Sequence, residues 1–263
     1  MARQHAVHYR YFDSGFIAMA HRGGALLADN LGRENSVHAF ANAVRLGYRY
    51  LETDVHTTAD GTLIAFHDDR LDRVTDHAGV VAELPWNEVR QARIGGHDPI
   101  PTLAELFETF PEQRFNIDLK APGAIEPLVT AIDAHRAHAR VCVGSFSIAR
   151  IRAFRRLMGA RVATSLSQNG VIWTRFAPGL PRLLAAPGAA LQVPVEHIVA
   201  GCRVRLVTRG LLARAHAAGK HVHVWTIDDP ATMHELVDLG VDGLISDRID
   251  VLKEVCQERG IWR

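Results

Sequence analysis

Eight short apolar runs, each followed by a longer amphipathic stretch, succeed one another from Phe16 to the C-terminal region, and this alternation limits the chain to few folds. A strand, a helix and a further strand close most readily with the two strands parallel, so the repeated unit predicts a mostly parallel sheet. Strands are expected near Phe16–Ala20, Arg49–Val55, Arg114–Leu119, Arg140–Gly144, Arg161–Ser165, Ala189–Val193, His221–Trp225 and Gly243–Ser246. Helices are expected over Glu34–Leu46, Thr102–Phe110, Gly123–Arg136, Ser147–Met158, Thr208–Ala218, Pro230–Leu239 and Ile249–Gln257. In the first of these, Val37, Phe40, Ala41 and Val44 recur at helical spacing; in the second, Thr102 and Glu105 make a capping box. Gly47, Gly159, Gly219 and Gly240 follow four of the helices, where a left-handed turn is needed.

Eight such units favour a closed barrel over an open doubly wound sheet, and 263 residues match the ~250 that a barrel of this kind needs. No GxGxxG opens the first strand–helix turn and there is no P-loop, which removes the usual nucleotide sites. The expected fold is therefore α/β: a single (β/α)8 TIM-type barrel over residues 15–263, preceded by an N-terminal tail, residues 1–14. A small hairpin and loop insertion is expected after the second strand, because Arg70–Ile100 shows no clear barrel element beyond a short helix near Pro85–Arg93.

Thirty basic residues against 29 acidic ones leave a formal charge of +1, which gives no footing for nucleic acid or an anionic membrane as partner. Cys142, Cys202 and Cys256 are far apart and odd in number, so they form neither a disulfide framework nor a CxxC metal site. The start of the chain lacks the apolar core of a secretory signal, and no run approaches the ~20 apolar residues of a membrane span. A soluble cytoplasmic protein without stable membrane insertion is the expectation; the oligomeric state is not legible.

In a β/α barrel, chemistry gathers at the carboxyl ends of the strands. Alternation along YLETDV puts Leu51, Thr53 and Val55 on the helix side and turns Glu52 and Asp54 into the barrel mouth. In FNIDLK the same rule turns Asn116, Asp118 and Lys120 inward. Three carboxylates converging from two strands repel one another unless a divalent cation sits among them, which makes Glu52, Asp54 and Asp118 candidate metal ligands. His21 ends the first strand and His67 ends the run TLIAF, both on that rim. Two imidazoles flanking such a site suit a general base and a general acid on opposite sides of a phosphorus centre. Arg22 and Lys120 supply positive charge for phosphate oxygens. Each histidine taken alone is weak evidence among fifteen, and His223 of HVHVW is better read as a packed interior residue.

The ordered set HRGG with EN, LETDVHTTADGTLIAFHDDRLDRVTD, IPTLAELFETF, NIDLK, GSF, HVHVWTID and VDGLISDR resembles the glycerophosphodiester phosphodiesterase family over about residues 16–250. The resemblance implies a β/α barrel that hydrolyses glycerophosphodiesters to glycerol 3-phosphate and an alcohol with one divalent cation, Mg²⁺ or Ca²⁺, Mn²⁺ being a further candidate. It implies that His21 and His67 are the catalytic pair, Glu52, Asp54 and Asp118 the metal ligands, Arg22 and Lys120 the phosphate contacts, and Trp225 a wall of the substrate pocket. It further implies that a glycerol hydroxyl attacks phosphorus to give a cyclic phosphate, without saying which histidine is base.

Two positions depart from the family pattern: Asp118 stands where glutamate is usual, and Arg33 stands where proline is usual, as an arginine on the rim within reach of an anionic substrate. Two other readings stand beside the first. One is a phospholipase D-type activity on lysophospholipids, for which Trp173–Leu184 offers a candidate apolar lip; the other is a barrel without activity.

Overall fold

Parallel strands cannot be joined by tight turns, so each returns through a crossover on the outside of the sheet, and here the crossovers bend the sheet into a ring. The computed structural model describes residues 5–13, 15–166, 188–199 and 202–263. In chain order the strands are β1 (Ile17–His21), β2 (Tyr50–Thr57), β3 (Leu63–Ala65), β4 (Arg93–Ile94), β5 (Asp98–Pro99), β6 (Arg114–Leu119) and β7 (Val141–Gly144). They continue as β8 (Ala163–Thr164), β9 (Ala190–Val193), β10 (Glu196–Val199), β11 (Cys202–Arg205), β12 (His221–Val224) and β13 (Gly243–Ser246).

Eight of these pair in parallel in the order β8-β7-β6-β2-β1-β13-β12-β9, and a parallel bridge from Ser165 to Ala190 brings the ring close to closure. The eight correspond to the eight expected strands, and β6 and β13 have the expected limits. Register across the ring decides the site: His21 lies opposite Glu52, and Asp54 lies opposite Asp118.

The helices are α1 (Val37–Arg45), α2 (Trp86–Val89), α3 (Leu103–Thr109), α4 (Ile125–Ala134), α5 (Ile148–Met158), α6 (Arg209–Ala217), α7 (Pro230–Leu239) and α8 (Ile249–Glu258). The side chains of Ser36, Thr102, Ser147, Thr208 and Asp229 each accept from the backbone N–H three residues on, satisfying a donor that the first turn leaves free. Helix α1 starts three residues later than its apolar periodicity suggests, because Asn35 is held at φ +60° and cannot be helical.

Apolar side chains lie on both sides of the ring. Leu51, Val55, Phe115, Ile117 and Leu119 face the helices, where they pack with Phe40, Phe107, Leu128 and Phe154. Ile17, Met19, Tyr50, Cys142, Ala190 and Ile245 fill the interior. Residues 5–13, set apart from the barrel by the sequence reading, form two 3₁₀ turns whose Ala6, Tyr11 and Phe12 are buried in that interior cluster. After β2 the chain turns back as the antiparallel strand β3, then enters the expected insertion, which carries its own core of Leu71, Val81, Val89, Ala92 and Ile94 against Ile64 and Phe66. Among the described residues no helix is long and apolar enough to cross a membrane.

Candidate active site

The turn after β1 fixes one edge of the site. Gly23 and Gly24 adopt φ +87° and +89°, and a Cβ would lie 2.8 Å from Ala39 Cβ at the first and 2.5 Å from Ile249 Cδ1 at the second. Only glycine lets this turn pack so closely on α1 and α8. Arg22 is itself left-handed, φ +50°, and its carbonyl accepts from Asn35 N–H at 2.9 Å. Two non-glycine residues in this sparsely populated region thus meet at the rim, where local strain serves to aim side chains.

His21, Arg22, Glu52, Asp54, His67, Asp118, Lys120 and Trp225 all line one solvent-open cleft at the carboxyl ends of the barrel strands. Lys120 Nζ lies between Asp54 Oδ1 at 2.9 Å and Asp118 Oδ2 at 2.8 Å. Arg22 Nε approaches Asp54 Oδ2 at 3.3 Å, while its Nη1 donates to Glu34 Oε1 at 3.0 Å. Glu52 accepts from Arg22 N–H at 3.2 Å and faces His21 Nε2 at 3.7 Å.

These neighbours set the charges. Burial pushes Glu52 up to about 7, and the Asp54 charge adds to the effect. Burial also acts to raise Asp54, but Lys120 and Arg22 outweigh it and hold this carboxylate below its ordinary range. Asp118 is raised by burial, with Lys120 opposing only in part. Burial acts to lower Lys120, yet Asp54 and Asp118 together raise it, so the ammonium stays charged.

Each proposed acid–base histidine is oriented from behind. His21 Nδ1 donates to Asp247 Oδ1 at 2.8 Å, and His67 Nδ1 donates to Asp68 Oδ1 at 2.5 Å. A carboxylate on Nδ1 fixes the ring and its tautomer, leaving Nε2 as the nitrogen for chemistry. His56, on the period-two side of Glu52 and Asp54, donates from Nε2 to the His67 carbonyl at 3.1 Å and so positions that residue's backbone. Arg33 does not line the cleft; it pairs with Asp98 at 2.9 Å and contacts His38. Trp225 does line it, edge-on to Phe146 with ring centres 5.6 Å apart.

The sequence reading gives no role to Asp247, Asp68 and Phe146, and leaves Glu34 open between orienting the metal site and starting a helix; the structure places Glu34 on Arg22 and Arg73. Asp247 had a usable signal, since it is a carboxylate one residue beyond the last barrel strand. Asp68 had one too, as the carboxylate next to His67, whereas Phe146 had none, because it depends on meeting Trp225 from a distant loop.

Glu52, Asp54 and Asp118 form an all-oxygen donor set, the kind that hard divalent cations prefer. Among the described residues no three His, Cys, Asp or Glu side chains stand in a ready coordination geometry, the Lys120 ammonium supplying counter-charge between two of the carboxylates. One group is nevertheless left unmet and another perturbed: Asp118 Oδ1 is buried without a partner among the described residues, and burial, with the Asp54 charge beside it, pushes Glu52 up to about 7. The residues fit a divalent cation on those grounds.

A cleft of this make-up at the carboxyl end of a β/α barrel, with paired imidazoles, clustered carboxylates and two fixed cations, defines a phosphoric-ester hydrolase class of site. The sequence matches the glycerophosphoryl diester phosphodiesterase family over residues 21–251, and the chain belongs to that family. A protein of Mycobacterium tuberculosis named "Probable glycerophosphodiester phosphodiesterase 2" is 42% identical over 252 residues, covering 94% of this chain and 93% of that one. A lysophospholipase D of Rattus norvegicus is 27% identical, covering 90% of this chain and 84% of its own length. Among solved structures, an Oleispira antarctica phosphodiesterase in complex with the product sn-glycerol-3-phosphate superposes with a TM-score of 0.76 at 23% identity, over 92% of this chain and 97% of that one.

Proposed function

We propose that this chain hydrolyses glycerophosphodiesters to glycerol 3-phosphate and an alcohol by histidine acid–base catalysis. One observation carries the reading: His21 and His67, each held through Nδ1 by a carboxylate, line the same cleft as the acidic cluster and the cations Arg22 and Lys120. Family membership and the 42% identical relative support the substrate class.

In the first step one histidine takes the proton of the glycerol hydroxyl beside the diester, and that oxygen attacks phosphorus. The bond to the leaving alcohol breaks as the other histidine protonates its oxygen, giving a cyclic phosphate. Water then opens the ring, with the two imidazoles exchanging roles. Arg22 and Lys120 hold phosphate oxygens, Lys120 as a point charge and Arg22 as a planar fork. Glu52, Asp54 and Asp118 would hold a divalent cation, Mg²⁺ or Ca²⁺, which when bound lowers the pKa of an attacking hydroxyl and offsets charge on a phosphate oxygen.

A second reading, turnover of lysophospholipids, is favoured by the apolar half of the cleft, where Phe146, Leu166, Val193, Pro194, Leu206 and Trp225 offer cover for an acyl chain. The stretch Trp173–Leu184, expected as an apolar lip, lies outside the described residues. The purified protein assayed on glycerophosphocholine, glycerophosphoethanolamine and lysophosphatidylcholine, with Mg²⁺, Ca²⁺, Mn²⁺ or EDTA, separates the readings. Turnover of the water-soluble diesters selects the first, preference for the lysolipid selects the second, and silence with every metal selects the inactive barrel.

A further inference from the structure

The insertion over Arg70–Ile100 gives no side chain to the cleft among the described residues, yet one of its arginines reaches two of the cleft's supports. Arg73 leaves a backbone that is well held. Leu71 is buried in the insertion's own core, Val74 packs against that core, and the Gly95 N–H donates to the Val74 carbonyl at 2.8 Å. From there the guanidinium donates through Nε and Nη2 to Asp68, at 2.6 and 3.0 Å. Through Nη1 and Nη2 it donates to Glu34, at 2.9 and 2.8 Å. Each carboxylate passes the constraint on: Asp68 accepts from His67 Nδ1, and Glu34 accepts from Arg22 Nη1.

We propose that Arg73 is a positioning residue that locks His67 and Arg22 into one arrangement, through Asp68 and Glu34. The proposal rests on the roles assigned to His67 and Arg22 above. A planar fork can grip two carboxylates along two edges at once, which fixes their oxygens in plane; a lysine is a point charge and cannot. The geometry also has an electrostatic consequence. Without Arg73, Asp68 and Glu34 would leave two negative charges beside an anion site, and a phosphodiester would be repelled as well as misaligned. An ordinary half-exposed ion pair is worth little, but a shift of about 1 Å at a reacting group can cost ~100-fold in rate.

The test is steady-state kinetics on Arg73→Gln and Arg73→Lys, with thermal melting of each protein and cycles against Asp68→Asn and Glu34→Gln. Arg73→Gln is expected to lower kcat by ~10–100-fold and raise KM several-fold, with little change in melting temperature. Arg73→Lys should restore much of KM, because charge is kept, but little of kcat, because the fork is lost. Adding Arg73→Gln to a chain that already carries both Asp68→Asn and Glu34→Gln should lower kcat no further. Wild-type kcat in Arg73→Gln, or full additivity with both carboxylate variants, would overturn the proposal. If either Arg73 variant is unstable, a kcat loss that the other shows at full stability still supports positioning, and a loss that tracks melting alone overturns it. His67→Ala and Arg22→Ala serve as the control. Normal activity in those two would remove the underlying reading, whereas impairment there with a normal Arg73→Gln would remove only this inference.

Discussion

The two sides of the barrel mouth are made of different materials. Strands β1, β2, β3 and β6, with the turns that follow them, contribute His21, Arg22, Glu52, Asp54, His67, Asp118 and Lys120. The arc from β7 to β13 contributes Phe146, Leu166, Val193, Pro194, Leu206, Trp225 and Ile245, with only neutral polar groups such as Ser145, Ser165 and Gln192 between them among the described residues. The charged side is also braced. Its histidines have carboxylates behind them, its cations sit between two acids, and its two non-glycine left-handed residues are tied by a hydrogen bond. The apolar side is held by packing and by neutral hydrogen bonds, such as Gln192 Nε2 donating to Asn116 Oδ1 at 2.6 Å and Ser145 Oγ donating to the Leu119 carbonyl at 2.7 Å, and Phe146 is half exposed. Fixed charges act most where charge develops in the transition state, so the first side is suited to altering kcat. Apolar contact binds ground and transition states alike, so the second is suited to deciding which alcohol is accepted.

If that division is right, the largest effects belong to the two imidazoles. His21→Ala and His67→Ala should each reduce turnover at least ~100-fold with folding unchanged, measured by release of the alcohol. A near-normal rate in either variant would break the comparison at its strongest point. Next in size is Asp118. Loss of an outer partner of a metal ligand typically weakens metal binding ~10–100-fold, so Asp118→Asn should cost at least about tenfold in affinity for Mg²⁺ or Ca²⁺ by calorimetric titration. Asp118→Glu restores a carboxylate one methylene longer and should retain binding. Abolished binding in that variant would argue that Asp118 serves only as the partner of Lys120.

The charged side was legible because strand periodicity and strand ends are local properties. Period two alone turned Glu52, Asp54, Asp118 and Lys120 inward, and the register of β2 on β6 then set Asp54 against Asp118. Apart from Asp68, which stands next to His67, the bracing was not legible, because it crosses the chain. Asp247 meets His21 over a separation of 226 residues, and Arg73 meets Glu34 over 39. The apolar side was least legible: Phe146 and Ile245 look like any core residue until the ring closes and leaves them facing a cleft. The burial of the N-terminal segment was no more legible, since Tyr11 and Phe12 carry no strand or helix pattern and are buried only in the cluster they share with Ile17, Met19 and Tyr50.

The bracing has a pH signature that the apolar side lacks. The Arg73 guanidinium hydrogen-bonded to Asp68, with His67 beside it, holds this carboxyl down at about 2. A depressed carboxyl stabilises the fold fully above its unfolded value of ~3.9, and the contribution is lost as pH falls through about 2. Asp68→Asn should therefore flatten the decline in stability between roughly pH 4 and pH 2, by about 1–2 kcal/mol once partial exposure is allowed for. Chemical denaturation across that range checks it; an unchanged acid slope would show that the Asp68 contacts do not persist in solution.

The smallest effect should come from the apolar side, and it should be one of choice. Phe146 meets Trp225 edge to face, at 5.6 Å and 78°, and Lys120 Nζ lies 5.6 Å from the Phe146 ring. An aromatic pair of this kind contributes about 0.5–1.5 kcal/mol beyond its buried area, a factor of roughly 2 to 10. Phe146→Ala should accordingly change kcat/KM by less than about tenfold for any one diester, while shifting the ratio between glycerophosphocholine and lysophosphatidylcholine. The direction carries the information, because a longer apolar leaving or acyl portion has more surface to lose when the ring goes. A uniform drop on every substrate, as deep as that of the histidine variants, would mean that Phe146 works mainly by holding Lys120, and that the boundary between the two sides lies one strand further round the barrel.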